Sequence, residues 1–266
     1  LYLIAVPIGL LLLRKIPAKP LEKHDLKPSR YIVTAIICIF MMYAGNILGS
    51  IITALLQLLP GIAAGNPILG YATDNALLPK ILFMVILAPV IEEYIFRKQL
   101  IDRMHIYGEK LAVITSALMF GLFHGNLSQL FYAFALGLVF GYVYLKTGRL
   151  RYSIGLHMLI NFIGSVAGPF FLEKIAVLGT METLDMVALE SIMPWLIGFG
   201  AYVLVLIGLA ITGLVLLCIN KRKVSFAPTE LELPKDDRFM TVYGNVGMIL
   251  LVVGCTALIV ASLIPL

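Results

Sequence analysis

Residues 194–219 read PWLIGFGAYVLVLIGLAITGLVLLCI and include no charged side chain. A helix crosses the hydrocarbon core of a bilayer with roughly 20 mostly apolar residues. This stretch is long enough to do so, and in water its helix would expose apolar surface on every side. It therefore predicts a membrane-spanning helix.

The remainder of the chain has the same character. Of the 266 residues, 61% are hydrophobic and 13% are charged, whereas typical soluble domains have about 45–50% apolar and about 25% charged residues. No long polar segment divides the chain, so we expect one integral membrane domain over 1–266. The fold class predicted is all-α, a polytopic bundle of about eight transmembrane helices surrounded by membrane lipids. The other apolar runs are 1–13, 31–59, 78–101, 110–125, 128–145, 151–172 and 241–265.

Basic residues are concentrated in alternate loops. Seventeen of the 20 Lys and Arg residues lie in four of them, whereas the intervening loops hold only Lys80 and Lys174. The positive-inside rule then predicts that the four basic loops are cytoplasmic and that both ends of the chain lie outside. The same distribution accounts for the net charge of +5, so we expect no nucleic-acid partner. The four loops are 14–30, 98–110, 146–151 and 221–238.

Charged side chains interrupt the run at 78–101. Such residues cost about 2.5–3.5 kcal/mol at the centre of a membrane helix, and they persist where they are paired or functional. Glu93 and Arg97 are four apart and share a helix face, so they can neutralise each other. Glu92 points about 100° away and is the better candidate for a general base. Pro89 removes a backbone hydrogen bond and predicts a kink or an opening of the helix.

Two further helices carry histidines. His124 ends the run that begins near Lys110, and His157 lies one helical turn before Asn161. Together with Glu92, these groups can supply a general base, a proton donor and an anion stabiliser. For each motif alone, a structural ion pair or a histidine satisfied by packing is the alternative interpretation. The zinc motif HExxH, the nucleophile motif GxSxG and the phosphate loop GxxxxGK[ST] are absent from the sequence.

Three short motifs follow one another along the chain: EExxxR at 92–97, FxxxH at 120–124 and HxxxN at 157–161. In these motifs the chain resembles the CPBP family of membrane proteins. That family is named for CAAX proteases and bacteriocin-processing enzymes, is also called the Abi family, and includes the Rce1-type CAAX proteases. The resemblance covers about 92–161. It implies an intramembrane protease with a catalytic core at about 78–172 and a membrane-associated peptide or protein substrate, and we expect it in the bacterial cell membrane.

By position, the resemblance implies that Glu92 and His124 activate water, whereas His157 and Asn161 stabilise the oxyanion. Straight helices would hold His124 at a different depth in the membrane from Glu92. The mechanism therefore requires tilted helices, or a bend near Gly121 or Pro89.

The remaining motif residues, Glu93 and Arg97, match supporting positions of the family. Whether a metal takes part stays open, because Glu92, His124 and His157 could also bind a zinc ion that activates the water. We favour the version without a metal.

Two other classes of function stay open. One is a non-catalytic membrane scaffold or bacteriocin-immunity protein, for which the basic segment 221–240 could be a docking element. The other is a transporter, because intramembrane charges also mark transport paths. A transporter would be expected to show internal repeats, and the sequence has none that we can detect.

Overall fold

A computed structural model describes residues 2–62, 77–176 and 186–264 of the chain. Within these ranges the protein is helical and contains no β-strand, which confirms the predicted all-α class. The helices are α1 (Tyr2–Leu13), α2 (Pro28–Leu56), α3 (77–104), α4 (Glu109–Phe123), α5 (Leu127–Thr147), α6 (Leu150–Phe162), α7 (Gly168–Ala176), α8 (Met186–Asn220), α9 (Lys235–Tyr243) and α10 (Val246–Ala261).

Helix α3 alternates between α-helical and π-helical backbone. Its π-helical segments are Lys80–Leu87 and Tyr94–Gln99, with α-helical Ala88–Glu93 between them. Pro89 is the second residue of that central segment. Changes to π-helix occur frequently at functional sites. Next to Pro89, where a kink or an opening was predicted, the backbone changes from π-helix to α-helix.

Helix α5 lies at the centre of the bundle, with α2 on one side and α4 on the other. Glycines permit both contacts. A Cβ atom at Gly137 of α5 would lie 2.9 Å from the Cα atom of Ala117 in α4. Gly45 of α2 likewise has the backbone of Tyr132 directly against it. Because backbone meets backbone at both contacts, α2 and α4 pack more closely against α5 than larger side chains would allow.

The apolar core and the apolar outer surface are distinct. A buried cluster joins α2, α5, α6 and α8, and Phe140 and Leu156 at its centre are fully buried. Large aliphatic side chains on the outer faces are exposed instead, as at Leu55 of α2, Leu204 of α8 and Leu250 of α10. Such faces suit a lipid environment, where apolar side chains meet apolar acyl chains.

Four helical stretches are long and apolar enough to cross a membrane, or five if the bent pair α9 and α10 forms one span. A polytopic bundle is thus confirmed for the described residues, whereas the predicted total of eight spans is not. The difference has a physical reason. Helix α4 has only 15 residues, and the segment 92–97 of α3 contains three charged residues, which are buried by neighbouring helices rather than exposed to lipid. These are Glu92, Glu93 and Arg97.

The four basic loops meet at one end of the bundle. The N–H of Lys19 donates to the carbonyl of Asp102 (2.8 Å), which joins the first loop to the second. The N–H of His24 donates to the carbonyl of Thr147 (2.8 Å), which joins the first loop to the third. The fourth loop donates a backbone hydrogen bond to the carbonyl of Tyr107 in the second (3.1 Å). The four loops that the sequence marks as basic therefore lie at the same end of the bundle.

Candidate active site

Glu92, His124, His157 and Asn161 line a single cavity of about 300 Å³. They come from three elements: α3, the residue after α4, and α6. The chain turns immediately after His124, at Gly125, whose φ of +63° lies in the left-handed region that glycine adopts without strain. Straight helices would place His124 and Glu92 at different depths in the membrane. In the structure the two residues nevertheless line the same cavity.

Behind the cavity, Glu93 and Arg97 form a completely buried ion pair. The Nε of Arg97 donates to Oε2 of Glu93 (3.0 Å), and its Nη1 donates to Oγ of Ser116 (2.6 Å). The guanidinium also lies over the ring of Phe120, 4.9 Å from its centre. The pairing predicted from the spacing of four residues is thus present, and its contacts to α4 connect two helices of the site.

His157 lies between the two glutamates. Its Nδ1 is 3.1 Å from Oε1 of Glu93, and its Nε2 is 3.7 Å from Oε2 of Glu92. The ring stacks on Phe140, with centroids 5.3 Å apart. Since a carboxylate only accepts hydrogen bonds, Nδ1 carries the hydrogen and Nε2 faces Glu92. The motif spacing grouped His157 with Asn161 alone and could not show this contact, because it joins α3 to α6.

His124 is oriented by its own helix. Its Nδ1 lies 2.8 Å from the carbonyl oxygen of Phe120, one turn earlier, and its ring packs edge-on against the Phe120 ring. A carbonyl accepts and never donates, so Nδ1 carries the hydrogen. In the neutral ring, Nε2 is then a hydrogen-bond acceptor. His124 can therefore receive a hydrogen bond from a water molecule.

Asn161 compensates for a hydrogen bond that Pro89 cannot make. In the π-helical part of α3 each N–H bonds to the carbonyl five residues earlier, as the N–H of Ala88 does to Phe83. By this pattern Pro89 would bond to Met84, but proline has no N–H. The Nδ2 of Asn161 donates to the carbonyl of Met84 instead (2.8 Å). This bond connects α6 to α3 beside the cavity.

Three residues at the start of α5 were not predicted as part of the site. Asn126 caps α5 by accepting from the N–H of Gln129 (2.9 Å). Gln129 and Tyr132 line the cavity. The sequence does carry a signal for the cap, because an Asn followed by Gln three residues later is typical of a helix start. Asn126 stands two residues after His124.

Zinc binding was the open alternative for Glu92, His124 and His157. Among the described residues, no group of three or more His, Cys, Asp or Glu side chains is arranged to hold a metal ion. Glu92, His124 and His157 nonetheless share one cavity.

Known proteins resemble this chain in the same region. Residues 74–163 match the family model for the Type II CAAX prenyl endopeptidase Rce1-like family. The chain is 34% identical over 88 residues to the membrane-embedded CAAX protease MroQ of Staphylococcus aureus (strain USA300), which covers 30% of this chain and 36% of that protein. It is 32% identical over 80 residues to the protein named Putative membrane peptidase YdiL of Bacillus subtilis (strain 168), which covers 29% of this chain and 32% of that protein.

The alignments thus span about a third of the length of these two relatives. No solved structure gives a significant match. The matched segment contains the complete motifs at 92–97, 120–124 and 157–161. Over residues 74–163, the chain is similar to the Type II CAAX prenyl endopeptidase Rce1-like family.

Proposed function

We propose that the protein is an intramembrane endopeptidase that hydrolyses a peptide bond in a membrane-associated peptide or protein. One observation carries the proposal: four polar side chains from three elements line one cavity inside a largely apolar bundle. They are Glu92, His124, His157 and Asn161. The family match and the names of the two relatives support the same activity.

The attacking group in this mechanism is a water molecule held between Glu92 and His124. The Nε2 of His124 accepts one hydrogen of the water, and the carboxylate of Glu92 accepts the other. As the water oxygen bonds to the peptide carbonyl carbon, its proton passes to Glu92. When the carbon–nitrogen bond breaks, Glu92 delivers that proton to the leaving nitrogen, so that no net proton is gained or lost.

The carbonyl oxygen becomes negatively charged during this attack, and His157 and Asn161 are placed to stabilise it. Asn161 has two amide hydrogens and donates one to Met84, so the second can serve the oxyanion. His157 donates through Nδ1 to Glu93. It can also donate through Nε2 only when the ring carries both hydrogens. Loss of one oxyanion donor typically lowers kcat by about 10²–10³-fold.

Glu93 and Arg97 act in this scheme as positioning residues, since they hold His157 without lining the cavity. A carboxylate that fixes the ring of a catalytic histidine is a recurring arrangement in hydrolases. CAAX proteins, peptide precursors and bacteriocin leaders are all substrate types consistent with these residues. The bacterial origin of both relatives supports a location in a bacterial cell membrane.

The test is cleavage of a fluorogenic membrane-peptide library by protein purified in detergent. We expect Glu92→Gln and His124→Ala each to lower kcat by at least about 10²-fold. Matched controls are Glu190→Gln and His24→Ala, which change exposed residues and should leave kcat unchanged. A chelator should also leave it unchanged.

Wild-type activity in both site variants would contradict the proposed residues, and inhibition by the chelator would contradict the version without a metal. A folded wild-type protein that cleaves no peptide would favour the non-catalytic scaffold or immunity function.

A further inference from the structure

A chain of hydrogen bonds at the start of α5 ends in the catalytic cavity. The backbone N–H of Gln129 donates to Oδ1 of Asn126 (2.9 Å). The Nδ2 of Asn126 donates to the carbonyl of His124 (2.9 Å) and to Oε1 of Gln129 (2.6 Å). The Nε2 of Gln129 donates to the hydroxyl of Tyr132 (2.9 Å). Gln129 and Tyr132 both line the cavity.

The donor and the acceptor of every hydrogen bond in this series follow from the first bond, in which the backbone N–H of Gln129 donates to Asn126. A backbone N–H can only donate, so the oxygen of the Asn126 side chain must face it. The nitrogen of Asn126 then faces the carbonyl of His124, which can only accept, and the side-chain oxygen of Gln129. The remaining end of Gln129 is its NH₂ group, which must donate to Tyr132.

The hydroxyl of Tyr132 therefore accepts from Gln129 and keeps its own hydrogen for another acceptor. Among the hydrogen bonds of the described residues, the Tyr132 hydroxyl takes part as the acceptor from Gln129. The Tyr132 ring lies edge-on to His124, with centroids 6.5 Å apart. Its backbone is held against Gly45 of α2. Tyr132 is thus a firmly placed donor on the wall of the cavity.

We propose that Tyr132 is a further catalytic residue, which donates its hydroxyl hydrogen to the carbonyl oxygen of the peptide bond being cleaved. Gln129 and Asn126 are its positioning residues. The inference rests on the proposed peptidase activity and adds a third donor to His157 and Asn161. As charge develops on the carbonyl oxygen, this hydrogen bond strengthens, so it acts on the transition state more than on substrate binding.

Tyr132→Phe keeps the ring and removes only the hydroxyl. We expect kcat to fall by about 10²-fold with KM changed by less than about threefold. Tyr142→Phe is the matched control, since Tyr142 lies on the same helix and its hydroxyl accepts from Ser225 outside the cavity. That control should retain wild-type kcat.

Gln129→Glu tests the direction of the bond. A carboxylate cannot donate to Tyr132, so the hydroxyl must donate to it and is withdrawn from the substrate. The kcat of Gln129→Glu should therefore fall about as far as that of Tyr132→Phe. The double variant should fall no further, because both changes remove the same donor.

A second measurement does not require turnover. A peptide phosphinate carries a tetrahedral, negatively charged oxygen in place of the scissile carbonyl, and we expect Tyr132→Phe to bind it about tenfold more weakly than the wild type does. Wild-type kcat and wild-type phosphinate affinity in Tyr132→Phe, with Glu92→Gln inactive, would overturn the role of Tyr132 and leave the peptidase proposal intact. A folded wild-type protein that neither cleaves peptides nor binds the phosphinate would overturn both.

Discussion

At the scale of single residues, the arginine of the first motif has an unusual position for a charged side chain. Arg97 is 0% exposed, and its guanidinium bonds to Glu93 and Ser116 while covering the ring of Phe120. The hydroxyl of Ser116 donates in turn to the carbonyl of Phe96 (2.7 Å). Because these partners belong to α3 and α4, the arginine connects the helix of the glutamates to the helix that ends at His124.

Arg97→Met should destabilise the protein strongly, because it removes the guanidinium that pairs with the buried carboxylate of Glu93. Removing one member of a buried ion pair costs about 3–5 kcal/mol. We expect a clear fall in the thermal unfolding temperature in detergent. Lys19→Met is the control, since its pair with Glu230 is largely exposed (side chains 63% and 89% accessible), and exposed pairs contribute little.

The double variant Glu93→Gln with Arg97→Met removes both charges and should recover part of the lost stability. Equal unfolding temperatures for Arg97→Met and the wild type would contradict the structural role of the pair.

At the scale of helices, two prolines follow π-helical segments in the same way. Pro89 is the second residue after Lys80–Leu87, and Pro169 is the second residue after Ile163–Ala167. Only the first of them borders the cavity of the candidate active site, through its neighbour Ala88. Replacing each proline by alanine returns an N–H to the helix, which makes the two positions a matched pair.

Pro89→Ala should supply a backbone donor to the carbonyl of Met84 and so compete with Asn161 for it. We expect thermal stability to be kept or raised, because an interior proline opposes the helix. We expect kcat to fall by roughly 10- to 100-fold, because the amide of Asn161 loses the bond that holds it. Pro169→Ala should leave kcat unchanged. An unchanged kcat in Pro89→Ala, beside an inactive Asn161→Ala, would show that the Met84 bond does not orient the amide.

At the scale of the whole molecule, the loops that meet at one end carry most of the positive charge. Asp25 lies 3.4 Å from Arg149, and Lys146 lies 2.7 Å from Glu109, so acidic side chains offset part of this charge. The segment after α8 belongs to the same surface, because the N–H of Ala227 donates to Glu109 (2.7 Å). The segment 221–240, which the sequence suggested as a docking element, therefore packs against the loops of its own chain at Ala227.

The orientation of this end can be tested by labelling single cysteines in bacterial cells, after replacement of the three native cysteines by serine. Ser225→Cys lies at the basic end, and Leu58→Cys lies beyond the opposite end of α2, where Leu58 is 79% exposed. The positive-inside rule predicts that an impermeant thiol reagent labels Leu58→Cys in intact cells and Ser225→Cys only after the membrane is opened. The reverse pattern would invert the proposed topology.

The sequence alone determined the class of the fold, and it predicted four polar residues that line one cavity of the structure. Long runs such as 194–219 have no stable alternative to helix in lipid, because every backbone polar group there must be satisfied within the segment. Spacing along one helix also predicted the Glu93–Arg97 pair, since residues four apart are always neighbours on an α-helix.

Tertiary structure decided whatever depends on how separate helices meet. The position of His157 between two glutamates, the bond from Asn161 to Met84 and the hydroxyl of Tyr132 in the cavity all join elements distant in sequence. Helical periodicity shows which face a side chain occupies but not the depth or rotation of the neighbouring helix. Those depend on close packing, such as that of Gly45 against the backbone of α5, and packing is a property of the assembled bundle.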